Sequence, residues 1–201
     1  MDVRRVTLGL DAKMTEEAYR AGMFPMADPE QGFVTWHRPS RRAVLPLDAF
    51  HVSRSLERTL RKGGFNIAFD ANFEAVMRAC ADRPGQGAWI TEEFIGVYQQ
   101  LHRAGKAHSV EVWVDGFLVG GVYGVHLGGA FFAESKFHRM RDMSKVALAA
   151  LVTRLREREF KLLEVQYLTP HLSQFGVIEI SGRDYRRRLE QALQSDCRFA
   201  G

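Results

Sequence analysis

Several features that narrow the function of a protein are missing from this 201-residue chain. No apolar run approaches the roughly 18 residues that a membrane-spanning helix needs. The N-terminal stretch MDVRRVTLGLDAKM lacks the apolar core of a signal peptide. The two cysteines, Cys80 and Cys197, match neither a metal-ligand spacing nor a disulfide framework. We therefore expect a cytoplasmic protein that has no membrane contact.

The common catalytic signatures are missing as well. The chain has no G-x-S-x-G motif, no Walker loop and no histidine cluster with metal spacing. The stretch MRDMSKVAL stands where an acyl-CoA enzyme carries a glycine-rich phosphate loop between a strand and a helix. These absences disfavour an acyl-CoA donor, and we expect neither a metal ion nor a cofactor.

Basic residues are in mild excess and gather on one predicted helix. The net charge is +4 and the pI is about 9.3, values that permit a nucleic-acid partner without requiring one. Ser53 and Gly63 are plausible caps of a helix between them. The helical spacing i, i+4, i+7 and i+8 gathers four cations on one face: Arg54, Arg58, Arg61 and Lys62. A solvated surface and a phosphate-binding surface both fit this pattern.

The chemistry is expected in the stretch from Phe117 to Gly176, which reads strand, turn, strand, helix, strand, loop. One strand ends on Glu134, and the next, one helix later, carries Glu164 and Gln166. A right-handed strand–helix–strand crossover brings such strands side by side or nearly so. Glu164 and Gln166 are two residues apart, so that on a strand their side chains share a face. Structural hydrogen bonding and catalysis both remain open for this pair.

The order of elements predicts an α+β fold. From Phe65 onward, the order of elements indicates a mostly antiparallel sheet with helices on its faces and a parallel crossover at the end. Acetyltransferase-like (GNAT-type) folds have this order. We expect a small N-terminal lobe with the basic helix over residues 1–62 and a catalytic domain over residues 63–201. Gly120, Gly121 and Gly124 in one strand predict a bulge or a close approach to the backbone.

Collinear segments then reveal a resemblance. These segments resemble the leucyl/phenylalanyl-tRNA–protein transferases over roughly residues 18–190: AYRAGMFPM, RRAVL, HVSRSLERTLRK, WITEEFIGVYQQLHRAGKAHSVEVW, LVGGVYGV, FFAESKFHRMRDMSK, VQYLTPHL and FGVIEISGRDY. The resemblance implies an enzyme that moves Leu or Phe, and less well Met, from aminoacyl-tRNA to the N-terminal Arg or Lys of a protein. This transfer marks the acceptor for degradation by the N-end rule pathway. The family has a small N-terminal lobe and an acetyltransferase-like domain, and works without metal or CoA.

The resemblance also implies roles for single residues. Gln166 matches the catalytic glutamine, Glu164 the acidic residue that polarises it, and Glu134 the acidic residue beside the aminoacyl group. The family positions that contact the aminoacyl group are matched by Val122, Phe131, Ala133, Leu163, Trp89 and Tyr98. The family positions that contact the tRNA are matched by Met26, Arg54, Arg58, Arg61 and Lys62. The chain departs from the family at five of these or neighbouring positions. Met26 and His37 replace tryptophans, and Ala133 replaces a glycine. Val122 replaces a methionine, and Glu164 replaces an aspartate.

Two other functions fit the residues. One is a related tRNA-dependent aminoacyltransferase with a different acceptor amine. The other is a non-catalytic tRNA-binding module, against which the Glu164/Gln166 pair argues. In every case we expect a monomer. For the transferase, Glu134 and Asp142 are the candidate carboxylates for the cationic side chain of the acceptor.

Overall fold

Two sheets organise the computed structural model, which describes residues 2–28, 30–83 and 89–200. A three-stranded antiparallel sheet has the order β1-β3-β2 and consists of β1 (Val3–Thr7), β2 (Phe24–Asp28) and β3 (Phe33–His37). The larger sheet has seven strands, in the order β10-β4-β9-β8-β7-β6-β5. They are β4 (Arg41–Val44), β5 (Asn66–Phe69), β6 (Ala107–Val114), β7 (Phe117–Leu127), β8 (Ala130–His138), β9 (Leu162–Glu164) and β10 (Ile178–Ser181).

Seven α-helices of the described residues pack around these sheets. They are α1 (Ala12–Arg20), α2 (Arg54–Lys62), α3 (Phe73–Ala81), α4 (Glu92–Arg103), α5 (Met143–Glu157), α6 (Pro170–Ser173) and α7 (Gly182–Leu193), with a short 3-10 helix at Leu47–Ala49. The buried residues form two clusters, because neighbouring residues of a strand point to opposite sides of the sheet. On β4, for example, Val44 belongs to one cluster and Ala43 to the other.

The two sides of the large sheet carry different helices. The α5 face is covered by α5 and α2, which bury Leu151 and Leu56 in one cluster. The opposite side, which we call the lobe face, is covered by the three-stranded sheet and by α1, α3, α4 and α7. β8 and β9 are parallel neighbours connected through α5, with Phe132 opposite Glu164. The predicted α+β class and the predicted neighbourhood of these two strands are confirmed.

Glycines in β7 let other parts of the chain approach its backbone. A Cβ atom on Gly120 would lie 2.6 Å from Cβ of Met143, where α5 begins. A Cβ atom on Gly124 would lie 2.2 Å from the carbonyl oxygen of Phe132, and the register of β7 and β8 shifts between Tyr123 and Gly124. Both predicted causes, a bulge and close approach, therefore operate in one strand.

Two strand ends differ from the prediction. β8 continues past Glu134 to His138, so Glu134 lies within a strand and not at its end. β9 stops at Glu164, and Gln166 lies beyond it with a φ of 64°, in the left-handed region. The expectation that Glu164 and Gln166 project from one face of a strand is therefore wrong, because the chain turns between them.

The helix ends follow the sequence closely. The Ser53 side chain accepts a hydrogen bond from the Leu56 amide, and Gly63 ends α2 with a φ of 64°, as the cap residues predicted. Residues 1–62 supply the three-stranded sheet and α2, and they also supply β4 to the large sheet. The division into two domains at residue 62 stays a prediction. No helix of the described residues combines the length and apolar character needed to cross a membrane.

The glycine environments give a matched pair of substitutions. We expect Gly124→Ala to lower the free energy of unfolding by about 1–3 kcal/mol, because the added methyl group overlaps the Phe132 carbonyl. Gly96→Ala in α4, where a Cβ meets nothing within 4 Å, should instead raise it by about 0.5–1 kcal/mol. Urea unfolding of the two variants and the unchanged protein measures both effects, and equal stability of the two variants would contradict the close approach.

Candidate active site

A buried carboxylate on β8 lies at the centre of the candidate site. Oε1 of Glu134 accepts a hydrogen bond of 2.5 Å from the Tyr19 hydroxyl of α1. That hydroxyl lies 2.6 Å from the hydroxyl of Tyr98 on α4. Tyr19 and Tyr98 are almost completely buried, so the two phenols hold the carboxylate from the lobe face in surroundings shielded from solvent.

The side chain of Gln166 binds the other oxygen of the same carboxylate. Its Nε2 donates to Oε2 of Glu134 over 3.0 Å. The Gln166 backbone is fixed as well, because its N–H donates to Oε1 of Glu164 over 2.6 Å and its carbonyl accepts from the Ala43 amide. A non-glycine residue held at positive φ costs of order 1–3 kcal/mol. These bonds around Gln166 stabilise a backbone conformation that the residue seldom adopts.

Glu164 is held by a buried arginine of β4. Nη2 of Arg42 lies 2.9 Å from Oε1 of Glu164, and both side chains are at most 1% exposed. The guanidinium also donates to the carbonyl of Gly22 and to the hydroxyl of Tyr185, whose ring centroid lies 4.1 Å from Arg42 Cζ. Among the described residues, Oε2 of Glu164 has no hydrogen-bond partner. Arg42 thus connects the N-terminal lobe, β4, β9 and α7 at one point.

Burial changes the proton affinity of these groups. It raises the pKa of Glu134 from 4.5 to about 8, and the negative charge of Glu164 acts in the same direction. The hydrogen bonds from Tyr19 and Gln166 oppose that rise. Burial also raises the pKa of Glu164, against the effect of Arg42. The pKa of Tyr19 is raised well above its usual value by burial and by Glu134, so Tyr19 remains a hydrogen-bond donor.

A small apolar cavity borders Glu134. Its volume is about 70 Å³, and its wall consists of Val122, Ala133, Glu134, Ser135, Lys136, Leu148, Val165 and Leu172. A wider cleft of about 650 Å³ shares Lys136 and Leu172 with it. The other residues that line the wider cleft are Arg83, His138, Ser144, Thr169, Pro170 and His171. Burial, and next the charge of Arg83, lowers the pKa of Lys136.

The structure brings some of the residues predicted from sequence together and separates others. Glu134, Gln166, Glu164 and Tyr98 form the connected polar group, with Val122 and Ala133 in the adjoining cavity. Phe131 and Leu163 are each 1% exposed and lie in the hydrophobic cluster of the α5 face. Trp89 and Met26 are half-buried against the other cluster, on the lobe face, and neither lines the cavity.

Four predicted residues lie on α2. Arg54, Arg58, Arg61 and Lys62 are exposed, and no ion pair to any of them occurs within the described ranges. Arg58 and Lys62 border a cleft of about 530 Å³ that Arg141 also lines. The cationic face is therefore available to a partner with negative charge.

Sequence reasoning missed three residues of the site: Tyr19, Arg42 and Tyr185. Each lay inside a segment that carries the resemblance or next to one, but an isolated tyrosine or arginine has no distinctive spacing. The sequence offered one indication of these residues, which was Glu164 itself, because a buried carboxylate requires a cationic or hydrogen-bonding partner. The partner's position followed only from the pairing of β4 with β9, Val44 opposite Glu164.

One group of side chains has the composition of a metal site. Asp70, His102 and His108 each offer one donor atom, and these atoms lie within 4.8 Å of one another. Their polar atoms already take part in hydrogen bonds, including His108 Nδ1 to Asp70 over 2.7 Å and His102 Nδ1 to the Ala107 carbonyl over 2.8 Å. This group lies at β5, α4 and β6 and shares no hydrogen bond with Glu134 or Gln166.

Comparison with known proteins gives a consistent result. Residues 44–190 match the family model described as leucyl/phenylalanyl-tRNA protein transferase, and residues 10–40 match the model of its N-terminal domain. A leucyl/phenylalanyl-tRNA–protein transferase of Gloeobacter violaceus is 50% identical over 190 residues, 94% of this chain and 97% of its own. The one from Rubrobacter xylanophilus is 53% identical over 192 residues, 95% and 99% of the two chains.

A solved structure overlaps in part. A ribosomal-protein-alanine N-acetyltransferase from Brucella melitensis biovar Abortus aligns with 63% of this chain and 90% of its own, at 18% identity and a TM-score of 0.40. The α+β class of this chain is established by its own strand order and helices.

The raised pKa of Glu134 predicts a pH-dependent stability. The folded protein binds this proton more tightly than the unfolded chain, so the free energy of unfolding falls as pH rises from about 4.5 to about 8. Glu134→Gln removes this titration. Its stability relative to the unchanged protein should increase across that window by up to ~1.4 kcal/mol per pH unit.

Urea unfolding at about pH 5 and about pH 8 measures this difference. Glu190→Gln on the exposed side of α7 is the matched control, because it removes the same charge from the surface. A stability difference for Glu134→Gln that does not change with pH would contradict the raised pKa.

Proposed function

Because the chain belongs to the leucyl/phenylalanyl-tRNA–protein transferase family, we propose that it transfers leucine or phenylalanine, and methionine less well, to the N-terminal arginine or lysine of proteins. It is a transferase that uses aminoacyl-tRNA and a protein acceptor. The transfer would mark the acceptor for degradation by the N-end rule pathway. The observation that carries the proposal is the hydrogen bond between Gln166 and Glu134 beside an apolar cavity.

The reaction requires no separate activation step. The α-amino group of the acceptor attacks the carbonyl carbon of the aminoacyl ester, forming an amide C–N bond and breaking the ester C–O bond. The proton that the amine loses ends on the departing ribose oxygen of the tRNA. Holding two reactants in the correct orientation can lower such a barrier by ~7–11 kcal/mol in favourable cases, so orientation is the main task of the protein.

Gln166 is suited to orient the attacking amine. Its Nε2 donates to Glu134, which leaves the Oε1 of the same amide as the atom that can accept an N–H. An amide is a very weak base, so this contact directs the lone pair of the amine and does not remove its proton. Glu164 acts through the Gln166 backbone, whose N–H it accepts over 2.6 Å. Arg42 in turn positions Glu164.

The cavity beside Glu134 is suited to bind an apolar aminoacyl side chain. Val122, Ala133, Leu148 and Val165 give it aliphatic walls, and its volume of about 70 Å³ is small. Glu134 at its border would bind the α-amino group of the aminoacyl ester. A nearby cation favours the ionised carboxylate, so donor binding would lower the pKa of Glu134 from its raised value in the unbound protein.

A series of clefts with cationic walls supports tRNA binding on the α5 face. The cleft beside α2, lined by Arg58, Lys62 and Arg141, reaches Met143 at the start of α5. The wider cleft begins at the next residue, Ser144, and shares Lys136 with the cavity of Glu134. A tRNA whose acceptor stem lies on α2 would thus direct its 3′ end toward Glu134, since phosphates follow cationic surfaces.

The acceptor's cationic side chain needs a carboxylate. Asp142 already pairs with Lys145 over 2.8 Å, and Arg141 lies 3.7 Å away. Glu134 has no basic partner among the described residues, because its bonds come from a phenol and an amide. We therefore favour Glu134 over Asp142 for contact with a substrate cation, and we assign that cation to the α-amino group of the aminoacyl ester and leave the acceptor's side chain without an assigned carboxylate. The division into an N-terminal lobe over residues 1–62 and a catalytic domain over residues 63–201 remains a proposal, with β4 of the first part in the large sheet.

Gln166→Ala should reduce turnover about 100-fold, because an attacking group displaced by about 1 Å loses this much rate. The affinity for aminoacyl-tRNA should stay within about twofold of the original. Turnover is measured as the transfer of radiolabelled Leu and Phe from their tRNAs to peptides that begin with Arg, Lys or Ala. The affinity for aminoacyl-tRNA is measured by filter binding.

Gln191→Ala on the exposed side of α7 is the matched control and should leave both quantities unchanged. Equal losses of turnover and tRNA affinity in Gln166→Ala would contradict the orienting role. Transfer to the Ala peptide would indicate a different acceptor amine. Salt-sensitive tRNA binding with no transfer by the unchanged protein would indicate a non-catalytic module.

Neutralising the basic face of α2 should weaken tRNA binding and its salt dependence. Changing Arg54, Arg58, Arg61 and Lys62 to Gln should reduce the slope of log Kd against log salt by about 3, at ~0.7–0.9 per phosphate contact. The same charge change at Arg103, Arg156, Lys161 and Arg188, all surface cations, is the control. Equal slopes for the two quadruple variants would show that α2 has no particular role.

A further inference from the structure

A second group of cations surrounds a cleft on the other side of the sheet. The cleft has a volume of about 240 Å³ and is lined by Arg4, Gly22, Arg38, Pro39, Ser40, Gly182, Arg183, Tyr185 and Arg186. We call it the arginine cleft. Four guanidinium groups and no carboxylate contribute to its wall, and no ion pair to any of the four occurs within the described parts of the chain. Such a wall suits an anionic partner, because arginine binds carboxylates with two parallel hydrogen bonds.

Backbone hydrogen bonds build this cleft from three segments. The Arg38 amide donates to the Asp2 carbonyl over 2.8 Å, which joins the β3–β4 turn to the N-terminal strand. The Gly182 amide donates to the Ser40 carbonyl over 2.8 Å, which joins the same turn to the start of α7. A Cβ on Gly182 would lie 3.1 Å from that carbonyl. The backbone that carries the four arginines is therefore fixed by contacts between segments far apart in sequence.

The arginine cleft lies near Gln166 along β4. The Gln166 carbonyl accepts from the Ala43 amide, and Ser40 precedes Ala43 by three residues. At about 3.4 Å per residue of extended chain, Ser40 is on the order of 10 Å from Gln166. An extended polypeptide whose α-amino group lies at Gln166 would cover this distance in about three residues.

The cleft and the basic face of α2 lie on opposite sides of the large sheet. Tyr185 of the cleft belongs to the hydrophobic cluster of the lobe face, whereas Leu56 of α2 belongs to that of the α5 face. An acceptor stem on α2 would have to pass around the sheet to reach the cleft. The acceptor polypeptide, in contrast, must approach Gln166 without displacing the tRNA, and the arginine cleft offers it a cationic surface that is separate from α2.

We propose that the arginine cleft binds acidic side chains at about the third to fifth positions of the acceptor polypeptide. This inference depends on the proposed function for the position of the α-amino group. It adds a second element of acceptor selection, because the N-terminal cation and the downstream carboxylates would contact different parts of the protein.

The test compares two peptides that both begin with Arg. One carries Asp or Glu at positions three to five, and the other carries Asn or Gln there. The cleft variant changes Arg4, Arg38, Arg183 and Arg186 to Gln, and the control variant again changes Arg103, Arg156, Lys161 and Arg188. KM for each peptide at saturating Leu-tRNA, kcat, and KM for Leu-tRNA are measured. Fluorescence anisotropy of both labelled peptides without tRNA gives binding independently of turnover.

The unchanged protein and the control variant should prefer the acidic peptide in KM by about 5- to 10-fold, the effect of two or three exposed ion pairs. The cleft variant should lose this preference while kcat and KM for Leu-tRNA stay unchanged. Added salt should reduce the preference, since the ion pairs are exposed.

Equal KM and equal anisotropy for the two peptides with the unchanged protein would overturn the inference. A rise in KM for Leu-tRNA in the cleft variant, with no change in peptide preference, would also overturn the inference. It would show that the arginine cleft binds RNA and not the acceptor polypeptide. Absence of transfer by the unchanged protein would refute the proposed function, and the anisotropy of the two peptides would still decide whether the cleft selects acidic chains.

Discussion

The buried ion pair between Arg42 and Glu164 is the contact on which the geometry of the site depends. Removing two charges from water costs several kcal/mol per ion, so such a pair requires good geometry and further hydrogen bonds. Arg42 obtains these from the Gly22 carbonyl and from Tyr185. The arginine therefore binds the N-terminal lobe and α7 to the edge of the large sheet, and the lobe contributes directly to the environment of Glu164.

The same pair determines where Gln166 lies. Oε1 of Glu164 accepts the Gln166 amide just beyond the end of β9, which stabilises a left-handed conformation at a residue that is not glycine. That conformation turns the Gln166 side chain toward Glu134 on the neighbouring parallel strand. Tyr19 fixes Glu134 from the opposite direction. Two carboxylates that are close in space thus have separate environments, one paired with a guanidinium and the other held by a phenol and an amide.

Much of this arrangement could be predicted from the sequence where local rules decide it. The crossover after β8 predicted that Glu134 and Glu164 lie on neighbouring strands, and cap residues predicted α2. The end of β9 and the turn at Gln166 could not be predicted, because tertiary hydrogen bonds from Glu164 and Ala43 override the local preference for a strand. Tyr19 and Arg42 were missed for a similar reason, since their partners are 115 and 122 residues away in sequence.

The positions of the charges also separate two kinds of surface. A mild net charge of +4 gave no indication that cations with no ion pair among the described residues concentrate on both sides of one sheet. On the α5 face they follow α2 and the clefts that lead to Lys136. On the lobe face they surround a cleft beside the shell of Arg42. With the tRNA on the first surface and the acceptor polypeptide on the second, as proposed above, each large substrate would have a cationic surface of its own.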